Sequence, residues 1–397
     1  MKRLGLTALI LVLLCGFGAQ AAEVPAALQF KVDNRLQPNV DFWVKIYSQY
    51  GTDQGLIHDA KYIDRIYEVI DVSKPGSGHR IRMAKQRWRN ALLSLHKKWI
   101  KSPEAVPAAM TEDEAKVFEL FKDIRERDKF FNAAHRKRLR FQLGQKDRFL
   151  EGYKEAGRYL PMMEEVFKRE GIPVELTRLP FVESSFNFRA RSKVGASGIW
   201  QFMPSTGRLY LTVGDALDER NDPIRATEAA AKLLKANYES LRAWPLAVTA
   251  YNHGRKGLMR AVRRVGSESL EDVVADYRSR TFGFASSNFF VELLAAVEVE
   301  KNAEKYFGKI ERERPVQYVE VKLPHFVPFR ELCRFLKLDA REIRELNPGL
   351  TEAVLKGSRR IPAGYGLRLP HREMGEKLFF AGYEAFPSIY KYGKSGP

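Results

Sequence analysis

The stretch that decides the fold is residues 176–203, LTRLPFVESSFNFRARSKVGASGIWQFM. It is apolar at 179–182 (LPFV), just before Glu183, carries arginines in its middle, and then has a run of small residues at 195–198 (GASG). Pro173 stands just before the stretch, and proline favours the first turn of a helix. The pattern predicts a short helix that ends near Glu183 and is followed by a loop.

Glu183 has the surroundings that a general acid requires. It follows four apolar residues, LPFV, and lies at the expected carboxyl end of the helix, which carries partial negative charge. Both effects disfavour the ionised carboxylate, so we expect the pKa of Glu183 to be raised. A carboxyl group that is neutral at pH 7 can donate a proton. Pro180 lies within the same helix, where we expect it to bend the helix or to mark its last turn.

The residues after Glu183 supply polar groups and bare backbone. The GASG run presents backbone with almost no side chain, against which a bulky ligand can lie. Residues 250–254 (AYNHG) end another apolar helix with a hydroxyl, an amide and a turn glycine. Taken alone, each feature is more often structural: such a glutamate is commonly a boundary surface residue, and a GASG run is commonly a turn.

The order and spacing of these features resemble the lytic transglycosylase domain, which is related to goose-type lysozyme. The shared features, in chain order, are Glu183-Ser184, Ser192 nine residues after the glutamate, the GASG run, Gln201, Met203-Pro204 and Ala250-Tyr251-Asn252. The resemblance to the membrane-bound lytic murein transglycosylase D group extends from about residue 140 to residue 307. It includes 171–176 (GIPVEL) and 204–208 (PSTGR).

The resemblance implies a helical, lysozyme-like fold that cleaves the MurNAc-β-1,4-GlcNAc bond of peptidoglycan without consuming water. The product implied is a 1,6-anhydroMurNAc end. Glu183 matches the family's single acid/base: it protonates the glycosidic oxygen and then, as a carboxylate, takes the proton of the muramic C6 hydroxyl. The substrate's own N-acetyl group is implied to stabilise the cation, a variation on the two-carboxylate scheme.

The resemblance also implies the residues that bind substrate. Ser192, Gln201 and Met203 are expected to contact the sugar or its N-acetyl group. Gly195 and Gly198 are expected to shape the cleft. No cofactor is implied, and no metal either, because the chain's two cysteines and seven histidines show no metal-ligand spacing.

Two further site residues follow in the AYNHG segment. By the same resemblance, Tyr251 should bond to or orient Glu183, and Asn252 should brace the floor of the cleft. One departure is Phe290, which stands where many relatives have tyrosine. A hydroxyl contact near the active site is therefore missing at that position, and Phe290 is expected to pack.

No partner carboxylate is evident beside Glu183, although Asp215, Asp218 or Asp222 could fold into the cleft. This leaves two alternatives to a lytic transglycosylase. One is a hydrolytic muramidase that uses the same Glu183 and needs a second carboxylate to position water. The other is a non-catalytic protein that binds peptidoglycan or serves as a scaffold.

Composition and net charge limit the classes of partner that the protein can bind. The chain has 397 residues, of which 45% are hydrophobic, and a net charge of +18. Such a chain can bury a large core, and its charge favours polyanions: nucleic acid, acidic glycans or an anionic membrane surface. Two observations count against nucleic acid: the amino terminus predicts export, and the sequence has no nucleic-acid recognition motif. Peptidoglycan strands are the expected partner.

The amino terminus predicts export. Two basic residues precede an almost wholly apolar run at 4–17, and Ala19-Gln20-Ala21 supplies small residues at the cleavage positions. This is the pattern of a secretory signal peptide, residues 1–21, and it predicts a periplasmic protein. The alternative is lipid attachment at Cys15, which would give an outer-membrane lipoprotein with a lipid-anchored membrane contact. Leu14 is larger than the residue that normally precedes such a cysteine.

Differences in residue pattern divide the rest of the chain into regions. A helical N-terminal region is predicted for 22–140, with helical periodicity from the capping box at 111–114 (TEDE) to about residue 170. Basic residues at 136–140 form either a solvated helical face or a basic rail along an anionic polymer. The transglycosylase domain is predicted at 141–310. The fold class is therefore mainly α.

A small α+β unit is predicted at 315–370. Its expected order is strand, helix, helix and strand, with a turn at 347–349 (NPG). This unit loosely resembles a LysM glycan-binding module, and the alternative is a degenerate module that packs on the catalytic domain. An aromatic tail, 371–397, ends the chain.

Overall fold

The computed structural model describes residues 33–103 and 110–371. The predicted signal peptide, with Cys15, lies outside the described residues, and so does the aromatic tail apart from His371. Within the described part of the chain, no helix combines the length and the apolar character needed to cross a bilayer.

Helices dominate the described residues, which confirms the mainly α fold class. The α-helices are α1 (Gln37–Ser48), α2 (Ser77–Lys101), α3 (Glu112–Phe121), α4 (Lys129–Ala133), α5 (Lys146–Ala156), α6 (Leu160–Glu170), α7 (Leu179–Ser184), α8 (Pro204–Gly207), α9 (Pro223–Leu241), α10 (Trp244–His253), α11 (Arg255–Val265), α12 (Leu270–Asp276), α13 (Phe284–Lys301), α14 (Ala303–Phe307), α15 (Phe329–Leu336), α16 (Ala340–Leu346) and α17 (Glu352–Leu355). Short 3-10 helices cover Val174–Arg178 and Glu219–Asn221.

Two antiparallel sheets accompany the helices in the described residues. The strands are β1 (Gln54–Asp59), β2 (Ile66–Asp71), β3 (Leu139–Leu143), β4 (Tyr318–Lys322) and β5 (Gly366–Pro370). Strand β1 lies between β2 and β3, and β4 pairs with β5.

The helical region predicted at 22–140 also contains strands, because β1 and β2 lie within it and β3 begins at its end. Strand β3 also interrupts the helical run predicted from 111 to 170. Strand β1 shows no alternation because it is the central strand and is buried on both faces. Gly55 in β1 is covered by Phe141, whose ring would lie 2.1 Å from an added Cβ. A short strand of this kind carries no sequence period that identifies it.

The basic cluster at 136–140 does not form a helical face, because the segment is a turn that leads into β3. Arg138 Nε donates to the carboxylate of buried Asp59 at 2.9 Å. The guanidinium of Arg140 lies over the ring of Phe284 at 4.0 Å. Arg138 and Arg140 are thus engaged within the protein, whereas Arg136 and Lys137 are exposed, and a basic rail along an anionic polymer stays a prediction.

One hydrophobic core joins α1 to the helices from α5 to α13, apart from the short helix α8. Helix α13 packs against α1, α7 and α10. Trp43 of α1 donates from Nε1 to the amide oxygen of Asn288 on α13 at 3.2 Å. The predicted domain boundary at residue 141 therefore leaves out a helix that belongs to this core. A second core lies between the N-terminal sheet and α2, α3 and α4.

Pro180 begins helix α7 and does not end it, so the prediction for this residue was wrong. The chain after Pro173 first forms the 3-10 helix Val174–Arg178, and α7 then starts with Pro180 in its first turn. A proline costs no hydrogen bond there, because that backbone N–H has no partner within the helix. Helix α7 stops where Ser185 and Phe186 take positive φ. Glu183 is thereby fixed in its last turn.

The strand-helix-helix-strand order predicted for 315–370 is confirmed, with the short helix α17 in addition. This C-terminal unit packs on the loop before α9. Leu217 from that loop lies in the core of the unit, and the N–H of Asp218 donates to the carbonyl of Gly349 at 2.8 Å. The two parts of the chain therefore share core and backbone contacts.

A buried ion pair fastens the C-terminal unit. Arg368 Nη1 lies 2.8 Å from Asp222 Oδ2, and both side chains are 4% exposed. Asp222 also caps α9, since it accepts the N–H groups of Ile224 and Arg225. Such a pair offsets the cost of desolvating two charges only while both partners are present.

We expect Arg368→Met to lower the free energy of unfolding by about 3–5 kcal/mol, because it leaves Asp222 buried without a counter-charge. Urea denaturation followed by tryptophan fluorescence measures the change. The matched control is Arg359→Met, which breaks the ion pair between Arg359 and Asp215. The side chain of Asp215 is 83% exposed. The control should change stability by less than about 1 kcal/mol. Equal losses in the two variants would contradict the role of the buried pair.

Candidate active site

Apolar packing on α7 holds Glu183 in place. Phe181, two residues before it, stacks on Phe149 with ring centroids 4.5 Å apart and meets Phe186 edge-on at 4.6 Å. Ser184, the next residue, donates its hydroxyl to the carbonyl of Ile199 at 2.9 Å. Ser184 is thus a hydrogen bonder at the helix end, and it ties α7 to the loop that carries the GASG run.

The carboxyl group of Glu183 is half-buried. Burial raises the pKa of Glu183 to about 8, the direction expected from its apolar neighbours. No charged group of the described residues offsets this effect. Glu183 is therefore mainly protonated at neutral pH, as a proton donor must be.

The GASG loop is more closed than the sequence suggested. Gly195 is exposed with φ +91°, but 196–198 are buried, so the expectation of an exposed strip holds at Gly195 alone. Gly198 has φ +77°, and an added Cβ would lie 1.8 Å from the carbonyl oxygen of Arg220. The space at Gly198 is thus taken by the protein's own backbone. Nη1 of Arg220 donates to the carbonyl of Gly195 at 2.8 Å, which fixes the loop.

The three aspartates considered as partners of Glu183 lie elsewhere. Asp218 accepts from Nη2 of Arg220 at 2.7 Å. Asp222 caps α9 and forms the buried ion pair described above. Asp215 is largely exposed. None of the three affects the pKa of Glu183, because their loop faces the C-terminal unit.

Three predicted sugar contacts lie on the loop around the GASG run. Ser192 Oγ accepts the N–H of Ala196 at 2.9 Å and closes the turn. Gln201 has φ +47° and donates from Nε2 to the carbonyl of Gly198 at 2.8 Å, and to a second carbonyl of the loop. A ligand would therefore meet the amide oxygen of Gln201. Met203 is 38% exposed and offers an apolar contact.

Tyr251 joins α10 to this loop. Its hydroxyl donates to the carbonyl of Trp200 at 2.7 Å, and its ring stacks on Phe289 of α13 at 6.2 Å. The hydroxyl of Tyr251 is thus bonded to the backbone, and the expectation that Tyr251 bonds to or orients Glu183 stays a prediction. The two groups are nevertheless neighbours, because burial and then the charge of Glu183 raise the pKa of Tyr251.

Asn252 links α10 to α13, since its amide oxygen accepts from the hydroxyl of Ser286 at 2.9 Å. The ring nitrogen Nδ1 of His253 lies 3.4 Å from the same hydroxyl. Phe290 is buried and packs in the core of the domain, as expected, and so does Trp200. These contacts fix α10 and α13 relative to each other on one side of Glu183.

Sequence reasoning missed two groups of the site, Glu292 and Tyr47. Glu292 is half-buried on α13, and burial, followed by the charge of Glu183, raises its pKa to about 8. Tyr47 of α1 is buried, and burial, Glu292 and Glu183 raise its pKa in that order. The signal was present in the sequence, because Glu292 is the one charged residue in the apolar stretch 289–297.

The site therefore combines a protonated carboxyl group, a second carboxyl group, one buried and one half-buried tyrosine, and an exposed glycine backbone. Such a site can give a proton to a bound ligand and take one back. Among the residues that the structure describes, no three or more histidine, cysteine, aspartate or glutamate side chains form a group that could hold a metal ion.

The comparison with protein families finds the Transglycosylase SLT domain at residues 162–274. That range includes Glu183, the GASG loop, Tyr251 and Asn252. It ends before Glu292 and begins well after Tyr47.

Two curated relatives are each named "Membrane-bound lytic murein transglycosylase D", one from Escherichia coli (strain K12) and one from a second Escherichia coli strain, CFT073. Each is 28% identical to this chain over 196 residues. The match covers 48% of this chain and 42% of the relative. The chain thus spans less than half the length of these relatives.

A solved structure of an inactive mutant of lytic transglycosylase Slt from Pseudomonas aeruginosa is similar at 15% identity, with a TM-score of 0.28. The match covers 58% of this chain and 33% of that chain. The range matched by the family model includes Glu183. The chain contains a transglycosylase SLT domain, at residues 162–274, and is homologous to membrane-bound lytic murein transglycosylase D.

Proposed function

We propose that this protein is an exported lytic transglycosylase that cleaves the MurNAc-β-1,4-GlcNAc bond of peptidoglycan. The observation that carries the proposal is the half-buried, protonated carboxyl group of Glu183 beside the GASG loop and Tyr251, inside the SLT domain. The curated relatives are named murein transglycosylases, and this supports the same class of substrate.

In the first step, Glu183 donates its proton to the glycosidic oxygen. The bond between that oxygen and C1 of the muramic residue breaks, and the GlcNAc side leaves as an alcohol. Positive charge develops on the muramic ring, where the substrate's own N-acetyl group stabilises it. The raised pKa of Glu183 supports this role, because the proton is still in place at neutral pH.

In the second step, Glu183 is a carboxylate and acts as the base. It takes the proton of the C6 hydroxyl, whose oxygen bonds to C1 and closes the 1,6-anhydro ring. Glu183 is then protonated again, and no water has been consumed. The apolar packing of Phe181 beneath the helix end supports this step, since a poorly solvated carboxylate readily takes a proton back.

The substrate-binding residues act through the loop that Arg220 fixes. Met203 and the backbone of Gly195 are accessible to a sugar ring, and the amide oxygen of Gln201 can accept from an N-acetyl N–H. Ser192 and Gly198 act by closing the loop, as their contacts within the chain suggest.

Tyr251 and Asn252 hold the opposite wall of the cleft. The stack of Tyr251 on Phe289 and the bond of Asn252 to Ser286 support this assignment, because both join α10 to α13.

We further propose that residues 1–21 direct export to the periplasm, with lipid attachment at Cys15 as the alternative. Residues 315–370 form a LysM-like unit on the transglycosylase domain. The strand-helix-helix-strand order supports the LysM-like fold, and the shared contacts around Leu217 favour a unit fixed to the domain.

A hydrolytic muramidase is the second candidate, and Glu292 is the observation that favours it. Hydrolysis by inversion needs one acid and one base that activates water. Glu292 is close enough to Glu183 for the two charges to interact. The two reactions differ in product, because hydrolysis leaves a reducing end and the lytic reaction leaves an anhydro end.

We expect Glu183→Gln to abolish the release of anhydromuropeptides from purified sacculi, because glutamine cannot donate the proton. Mass spectrometry of the released products is the measurement. The wild type should give muramic ends lighter by one water molecule than the hydrolytic products.

The matched control is Glu165→Gln, which changes an exposed glutamate paired with Lys168 in the same domain and should leave the products unaltered. Undiminished release by Glu183→Gln would remove Glu183 from the mechanism. Reducing ends from the wild type would establish the muramidase instead, and no products at all would favour the scaffold protein.

We expect added salt to weaken the binding of Glu183→Gln to sacculi. The chain carries +18 and peptidoglycan stems carry carboxylates, so screening removes an attraction between them. A sedimentation assay across a range of salt concentrations measures the bound fraction. Binding that does not change with salt would show that the basic surface has another purpose.

A further inference from the structure

We propose that Glu292 is a second carboxyl group of the active site, a positioning residue that acts through Glu183 and sets the alkaline limit of its activity. The proposal rests on the proposed function for the role of Glu183. It goes beyond that function, because the resemblance implies a single acid/base, and Glu292 lies outside the matched SLT domain.

The packing of α1 on α13 places Glu292 beside Tyr47. The amide oxygen of Asn288 accepts from Trp43 Nε1 at 3.2 Å and from Asn39 Nδ2 at 3.1 Å. Tyr47 follows Trp43 by four residues and Glu292 follows Asn288 by four, so each lies one helical turn further along. The charge of Glu292 contributes to the raised pKa of Tyr47, which supports the placement of these two side chains next to each other.

The packing of α10 on α13 indicates that the face of α13 that carries Glu292 also lies toward Glu183. Phe289 stacks on Tyr251 with the ring planes 5° apart. Glu292 follows Phe289 by three residues and therefore lies on the same side of the helix. Helix α7, which carries Glu183, also packs on α13. Glu292 is thus at the meeting point of α1, α7 and α13.

Glu292 differs from the other carboxylates of its helix. Glu300 pairs with Arg178 and Arg312, and Glu298 accepts from the hydroxyl of Tyr306 at 3.1 Å. Glu292 has no hydrogen bond or ion pair with the residues that the structure describes. Its carboxyl group remains half-buried without a structural partner, an arrangement that costs stability and is typical of functional sites.

The groups that face Glu292 leave its charge unbalanced. They are Glu183 on α7 and Tyr47 on α1, with Tyr251 on α10 next to Glu183. No cation appears among the charges felt by either carboxyl group. Two carboxyl groups in such a site resist carrying two negative charges, and they titrate as a coupled pair.

The sign of the effect follows from this coupling. When Glu292 is ionised, its negative charge opposes the ionisation of Glu183 and so raises the pKa of Glu183. Removing the charge of Glu292 should let Glu183 lose its proton at lower pH. Glu183 must be protonated to cleave, so the alkaline limit of activity should move in the same direction.

Carbon-13 NMR titration of labelled glutamate carboxyl groups, without substrate, tests the coupling directly. Glu183→Gln assigns the signal of Glu183. We expect the midpoint for Glu183 to fall by about one pH unit in Glu292→Gln. Glu298→Gln, which removes a carboxylate from the same helix, should leave the midpoint in place. Glu292→Asp keeps the charge and should restore most of the shift.

The pH profile of muropeptide release gives the functional measurement. Its alkaline limb should move down by the same amount in Glu292→Gln and stay in place in Glu298→Gln, with the product unchanged. An unmoved midpoint in Glu292→Gln overturns the proposal. So does loss of a hydrolytic product in that variant alone, because Glu292 would then be a reacting base. A wild type that releases nothing refutes the proposed function, whereas the titration still decides the coupling.

Discussion

Keeping the half-buried carboxyl group of Glu183 among apolar side chains, with no counter-charge beside it in the described residues, is the constraint on which the site depends. Ionising a carboxyl group in such a place costs free energy, and the proton is retained in consequence. The chain meets this condition with the stack of Phe149, Phe181 and Phe186 around a helix of only six residues.

Some residues of the site lie outside the range that matches the SLT domain. Helix α1 lies far outside residues 162–274, yet it contributes Tyr47 and packs along α13. Helix α13 carries Glu292 and also lies beyond the matched range. The segments before and after the domain therefore contribute Tyr47 and Glu292, whose pKa values respond to the charge of Glu183.

The sequence allowed the chemistry-bearing motif and the C-terminal unit to be predicted, because both have strong local signals. Glu183 follows an apolar run, and strand β4 has an alternating pattern. Strand β1 was missed because burial on both faces removes alternation. Glu292 was missed because its role depends on a pairing between distant helices. The sequence left open whether Asp215, Asp218 or Asp222 lies beside Glu183, since nothing local shows that their loop turns toward the C-terminal unit.

Asp222 serves two structures at once, as the cap of α9 and as the counter-ion of Arg368. The loop before it also lends Leu217 to the core of the C-terminal unit. A recombination event that deleted or exchanged this unit would leave a bare charge and an open apolar patch on the domain that remained. The C-terminal unit and the domain are consequently expected to be inherited together, unlike modules that are joined by a flexible linker.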